Sequence, residues 1–388
     1  MAYARGWQSG DLVVSASNRS ESYISPKTGV RNMEHVIIYR EKGRYAGWPA
    51  NYGIWSWGDE IVVGFTLGYH KSDGGFHRRD RDRPFETMQA RSLDGGGTWT
   101  VEPIPIASPE GKGVSANEHV NRSLEIEVAA ALSTGHAHGI DFSHPDFALM
   151  CARTGLADGA RSWFYTSTDR CRSWDGPFGL PMFGLRGIAA RTDYLIEGKA
   201  SCTLFLTSAK SNGREGRVFC ARTGDGGRSF AFLSWIGDEP EGFAIMPASV
   251  RLPGGRILVS VRCRGGGGSR EGNWIDLYCS DDNAASWRHA NRPVAETGTG
   301  GNPPAMMLLA YGRLCLVYGY RDAPSGLRAV VSEDEGATWS DPVILRDDGG
   351  DHDVGYPRAV QRTDGRIVSV YYYDDEPDGE RYIASTIW

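Results

Sequence analysis

An octet recurs five times along this chain, and its spacing restricts the possible folds more than any other feature. Two copies share the form Ser-x-Asp-x-Gly-x-Thr-Trp, at Ser92 to Trp99 and at Ser332 to Trp339. Three looser copies lie between them: Ser167 to Trp174 with Cys171 in place of the glycine, Thr223 to Phe230 around Asp225 and Gly227, and Ser280 to Trp287 with Ala284 in place of the glycine. The pattern describes a hairpin tip. A strand ends at the Ser or Thr, the Asp accepts backbone N–H bonds, the glycine permits positive φ, and the aromatic anchors the next strand. The first residues of the octets are 75, 56, 57 and 52 positions apart, somewhat more than the roughly 40–50 residues of a four-stranded propeller blade. The repeat unit is therefore about one antiparallel blade with insertions, and the chain is expected to be all-β.

These octets resemble the Asp-boxes, or BNR repeats, of the sialidase superfamily, whose members are six-bladed β-propellers. The resemblance spans residues 92 to 339 and implies six four-stranded antiparallel blades. In that family the boxes lie at the periphery, so they imply a fold and not a chemistry. A closed propeller can take all 388 residues as one unit, and no low-complexity linker interrupts them. The expected organisation is a single domain over 1–388, with an N-terminal extension over 1–33. The last box is followed by 49 residues, room for three strands of a sixth blade. Residues 34–40 are expected to supply the fourth strand and close the ring, which removes the open sheet edge. A further strand candidate runs from Asp11 to Ser17.

Composition excludes several partners. A formal net charge of −6 gives no global attraction to nucleic acid or to an anionic membrane. No apolar run is long enough to span a bilayer, and Met1 to Gly10 contain no signal-peptide core. The expectation is a soluble protein, cytoplasmic or secreted with its leader removed. Seven cysteines is an odd number, and their spacing matches no metal site. Buried free thiols and a reducing compartment fit them better.

In a propeller, the segment leading into each inner strand and the loop after each second strand converge on one mouth of the central channel. Blade one brings Trp48 and Asn51 there, with His70, Lys71, His77 and Arg78. Blade two brings His136, His138, Asp141 and His144, and blade three Arg191, Asp193, Lys210, Asn212 and Arg214. Blade four brings Glu241, Arg262 and Arg264, blade five Asn302, Arg321 and Asp322, and blade six Tyr356 and Arg358. Basic groups outnumber acidic ones although the whole chain is acidic. That asymmetry suggests a carboxylate-bearing oligo- or polysaccharide held by guanidinium forks.

Position by position, Gly355-Tyr356-Pro357 followed by Arg362 to Ile367 resembles the segment that carries the tyrosine nucleophile of the sialidases. Arg262 is similar in place to one of the three arginines that clamp the sialic acid carboxylate. The chain departs from that pattern in blade one, at Gly47-Trp48-Pro49-Ala50, and in blade five, at Asn302-Pro303-Pro304. No glutamate occupies Met246 to Ala248, and Glu241 comes several residues early. A hydrolase would use Tyr356 with an acid such as Asp141, Asp193 or Glu241. A polysaccharide lyase would draw base, neutraliser and proton donor from His138, Arg191, Arg262 and Tyr356. A non-catalytic glycan-binding propeller would stack sugars on Trp48, Trp55, Trp57 or Trp274. His136 and His138 share a strand face and could co-ligate zinc, but no CxxC or HExxH pattern accompanies them, so neither metal nor cofactor is expected. Gly265 to Gly268 lacks the Lys-Ser/Thr and helix of a phosphate loop.

Overall fold

Runs such as Ile257–Arg264 and Ile367–Tyr373 are rich in β-branched and aromatic residues and are buried along almost their whole length. That pattern belongs to strands covered on both faces, as in a blade packed between two others. The computed structural model describes residues 33–83, 85–106, 139–267 and 272–388. Its strands pair into six antiparallel sheets, the blades of a propeller. Blade one has its inner strand split into Arg44–Gly47 and Ile54–Trp57, followed by Glu60–Tyr69, Glu86–Ser92 and Thr100–Pro103. In blade two the described strands are Ala148–Arg153, Ser162–Ser167 and Asp175–Gly179. The beginning expected near Gly135 to His138 lies outside the described residues, as does the Asp11 to Ser17 candidate. Blade three runs from Tyr194–Gly198 to Ala231–Ile236, blade four from Phe243–Arg251 to Arg288–Val294, and blade five from Ala305–Leu308 to Val343–Arg346.

Blade six closes the ring as expected. Gly355–Gln361, Ile367–Tyr373 and Tyr382–Ile387 form its first three strands, and Glu34–Tyr39 adds the outermost one. Glu34 pairs with Ile387 and Val36 with Ser385, antiparallel, so the sheet has no open side where the two ends of the ring meet.

The five octets adopt one geometry. In each, the leading Ser or Thr hydroxyl donates to the Asp at 2.8 Å. The backbone N–H at the fifth position donates back to that hydroxyl. The other end of the turn is tied by a Thr or Ser whose N–H and Oγ both donate to the Asp carboxylate. The fourth and fifth residues are left-handed in every copy, including Arg170 and Cys171, Asn283 and Ala284, and Glu335. Side-chain hydrogen bonds therefore impose a backbone that glycine favours but does not monopolise.

Each octet also docks on the preceding blade. Cys171 O accepts from Gln89 of blade one, Ala284 O from Ser234 of blade three, and Gly336 O from Asn291 of blade four. Box three follows the same rule, since a Cβ at Gly227 would lie 2.9 Å from Ile140. Box one reaches around to blade six: Arg362 donates to Gly95 O, and a Cβ at Gly96 would lie 3.1 Å from Val368. The octets are rim clasps between neighbouring blades.

At the opposite rim, three inner strands share another device. Trp48, Met246 and Tyr356 each have positive φ and each precedes a proline. The ladder slips at all three, between Ile245 and Ala248, between Gly355 and Arg358, and at the break in blade one. Such a bulge re-aims the side chain relative to the rest of its strand. All seven cysteines are free and buried. No helix among the described residues is long and apolar enough to cross a membrane.

Candidate functional site

Tyr356 stands at the bulge of the first strand of blade six. Its hydroxyl accepts a hydrogen bond of 2.9 Å from Arg262 Nη1, and its ring is flanked by the guanidiniums of Arg262 at 5.6 Å and Arg321 at 5.5 Å. Burial alone would raise the phenol's pKa. Arg262, Arg321 and Arg191 outweigh that cost and hold it below the ordinary tyrosine value. These guanidiniums ease the ionisation of the phenol.

Arg262 and Arg264 are fixed by carbonyls and an amide, whereas Arg191 and Arg321 also face the carboxylates of Glu215 and Asp353. Arg262 and Arg264 both donate to Gly300 O, and Arg264 Nε donates to Asn273 Oδ1 at 2.9 Å. Burial, followed by repulsion from Arg262, lowers the Arg264 pKa to about 10. Arg191 pairs with Glu215 and also donates to Asn51 Oδ1 at 3.3 Å. Arg153, buried at the end of its strand, has its pKa lowered to about 9 by burial and then by Arg191. An anion entering this ring would relieve that repulsion.

Asn302 holds the backbone of Tyr356. Its Oδ1 accepts from the N–H groups of Tyr356, at 2.9 Å, and Gly319, at 3.2 Å, and its Nδ2 donates to Val354 O at 2.8 Å. The amide fits only because both neighbours are glycines. A Cβ at Gly319 would approach it to 2.6 Å and one at Gly355 to 2.5 Å.

The BNR repeat-like domain model matches residues 144–369, more than half of the chain. The chain belongs to that family. Among solved structures, a Dyadobacter fermentans protein of unknown function is similar with TM-score 0.68 and 22% identity over 91% of this chain and 97% of that one. Trypanosoma rangeli sialidase in complex with sialic acid is similar with TM-score 0.57 and 11% identity over 92% of this chain. This chain spans only 59% of that sialidase's length. Penicillium chrysogenum alpha-L-arabinanase complexed with arabinobiose is similar with TM-score 0.55 and 14% identity, over 91% of this chain and 97% of that one. No curated protein matches the chain. At these identities the structural likenesses establish the shared propeller and leave the chemistry to the residues themselves.

In this BNR-repeat propeller, the remaining sequence candidates separate by height along the channel. Asp193 and Arg358 lie below Tyr356. Asp193 accepts from the N–H and hydroxyl of Ser249, each at 3.2 Å, and Ser249 is three residues further along its strand than Met246. Burial raises the Asp193 pKa to about 7 against the opposing pull of Arg358, and its enclosed Oδ2 has no hydrogen-bond partner among the described residues. Arg358 donates to Ala50 O and Thr192 O, tying blade six to blades one and three.

Other candidates are committed elsewhere. The Lys210 ammonium is spent on the carbonyls of Pro240, at 2.9 Å, and Glu241, at 2.8 Å. Trp48 is packed under the mouth against Tyr45 and His77 and is not open to a sugar. Glu241 and Arg214 are exposed at the outer edge of the mouth. Asp141 and His144 lie at the box rim: Ile140 N–H donates to Gly226 O of the third box at 2.8 Å, and the Asp141 carboxylate serves the Ser143 turn. His136 and His138 lie outside the described residues. No group of three or more metal-ligating side chains occurs among the described residues.

The site also holds residues that sequence reasoning underweighted. Arg153 and Arg321 end, or directly follow, second strands, the place where Arg264 stands in blade four, and that equivalence marks them. Glu215 begins the third strand of its blade and pairs across to Arg191.

Proposed function

We propose that this propeller is a glycoside hydrolase for a carboxylate-bearing glycan, with Tyr356 as the nucleophile. The observation that carries this reading is the Tyr356 hydroxyl held by Arg262 within a ring of arginines that exceeds its acidic partners. Arg191, Arg262, Arg264 and Arg321 would grip the substrate carboxylate and set the anomeric carbon above the phenol oxygen. The same charges favour the phenolate, which attacks that carbon as the glycosidic C–O bond breaks. Asn302 keeps the left-handed Tyr356 backbone pointed at the substrate. Structural similarity to a sialidase and an arabinanase supports glycan cleavage, and the cationic ring supports an acidic sugar.

A lyase reading shares one observation. A phenolate beside guanidiniums can also abstract the proton next to a uronate carboxylate that those guanidiniums neutralise. One experiment separates the two. Purified protein is incubated with sialosides, arabinosides and uronate-containing polysaccharides, and reducing ends are followed together with the ultraviolet absorbance of unsaturated uronate. The hydrolase yields reducing ends alone, and Tyr356→Phe lowers the rate about a thousandfold or more. Reducing ends accompanied by rising absorbance would establish elimination instead, and turnover unchanged in Tyr356→Phe would remove the nucleophile from either scheme.

A further inference from the structure

A hydrolase of this kind also needs a group that protonates the departing oxygen, and the carboxylates read from the sequence stand below, beside or opposite Tyr356. His77 shares Arg321 with it: that guanidinium acts on the imidazole and flanks the Tyr356 ring. The His77 ring is fixed on three sides: Nδ1 is 2.9 Å from Asp353 Oδ1, Trp48 meets it edge-on at 5.2 Å, and Phe76 does so at 5.0 Å. Asp353 is fully buried. Burial would raise its pKa, but His77, Arg321 and Arg381 hold it well below the usual carboxylate range. A buried carboxylate on Nδ1 fixes that nitrogen as the N–H, so the exchangeable position is Nε2. Among the described residues the ring's hydrogen bond is the one at Nδ1, and the side chain is 24% exposed.

The connection to Tyr356 runs through Arg321. Its Nη2 is 3.3 Å from Asp353 Oδ1, and its guanidinium lies 5.5 Å from the exposed Phe76 ring and 5.5 Å from the Tyr356 ring. Tyr372 completes the bridge, donating to Asp353 and packing 5.8 Å from Tyr356. A part-exposed imidazole and a guanidinium-held phenol therefore flank one cationic floor.

We propose that His77, oriented by Asp353, is the proton carrier of the reaction. The assignment rests on the Tyr356 reading. In the first step the phenolate forms a bond to the anomeric carbon. The glycosidic bond breaks with its electron pair going to the departing oxygen, which takes the proton from Nε2. In the second step a water oxygen bonds to the anomeric carbon and gives its proton to Nε2. The bond to Tyr356 breaks, and its electron pair restores the phenolate. Asp353 accepts the Nδ1–H throughout and is a positioning residue.

The groups facing His77 set the pH response. Burial disfavours imidazolium most. Asp353 of blade six opposes burial, while Arg79 of the same loop and Arg321 of blade five add to it, and the net direction is below the ordinary histidine value. The imidazolium requirement is met at lower pH and lost as pH rises through that lowered value, which sets the alkaline limb, while the need for phenolate sets the acid one.

The test compares wild type with His77→Gln on alkyl and nitrophenyl glycosides of whichever panel sugar the wild type cleaves, with thermal unfolding confirming the fold. A nitrophenolate leaves without needing a proton, so the variant should lose about 10²–10⁴-fold on the alkyl glycoside and less than about tenfold on the nitrophenyl one. Its alkaline limb should vanish, and added azide should accelerate the nitrophenyl reaction. Equal losses on both glycosides with an unchanged pH profile in a folded variant would overturn the assignment while leaving Tyr356 in place. A wild type that cleaves no glycoside on the panel would overturn the hydrolase reading and His77 with it.

Discussion

The two rims of this propeller were built from the same repeat and now obey opposite rules. At the box rim, five blades repeat one set of hydrogen bonds, down to left-handed residues at Arg170, Cys171, Asn283, Ala284 and Glu335 where glycine would be cheaper. At the mouth, equivalent positions have diverged. The left-handed residue before proline is Trp48, Met246 or Tyr356. The second strand ends at, or is followed by, His70, Arg153, Lys210, Arg264, Arg321 or Asp374. Repetition persists where every blade has the same task of clasping its neighbour. Divergence is concentrated where six strand ends meet around one channel mouth and no two can occupy the same place in it.

The contrast can be broken from either side. The largest effect is expected at the mouth: Arg262→Met should cut turnover by about 10²–10³-fold, because the phenolate loses its donor, while thermal unfolding moves by less than about 1 kcal/mol. A variant whose stability falls with its activity would make Arg262 a structural strut. At the other rim the ranking should invert. Ser92→Ala removes the partner of the buried Gly96 N–H and should cost about 1–3 kcal/mol in denaturant unfolding with kcat unchanged. A drop in kcat for the folded variant would show that the rims are coupled.

Asp193 lies between the rims and sharpens the comparison through pH. Its folded-state pKa is raised to about 7 from an ordinary carboxylate value of 3.8, so its contribution is fully present below the unfolded value and is lost as pH rises through about 7. Asp193→Asn should therefore stabilise the protein by about 1–2 kcal/mol above that pH and by progressively less toward acid. Equal effects at both ends of a pH series of melting curves would mean that Asp193 is ionised throughout. The smallest effect is expected from Glu335→Gly, which relieves a left-handed glutamate in the fifth box and should add about 0.5–1 kcal/mol. A loss in denaturant unfolding would show that the glutamate side chain matters more than its backbone.

The boxes were legible because the hydrogen bonds that shape each turn lie within eight residues. The closing strand was legible because counting strands left blade six one short. The mouth was only partly legible. Tyr356 and Arg262 were marked by their resemblance to the sialidase nucleophile segment and carboxylate clamp, and the structure brings the two into contact. The channel acid Asp193 was found, but its height was not, since depth depends on how far each inner strand slips at its bulge. Asp141 and His144 were expected at the mouth. They follow the turn that docks on box three, and this puts them at the other rim. The His77–Asp353 pair was invisible as a pair because its members are 276 residues apart, and only ring closure brings blade one against blade six.

The wedge of Asn302 between Gly319 and Gly355 has a consequence for anyone who would vary this mouth. The three positions, on three different segments, behave as one unit. Any side chain at either glycine must displace the amide, and displacing the amide releases the backbone that aims Tyr356. A library that randomises the channel lining should therefore hold all three fixed, together with Arg262, and spend its diversity on the exposed edge at Arg214 and Glu241. Chance pairs of changes at the wedge would disturb the Tyr356 backbone before they altered the lining.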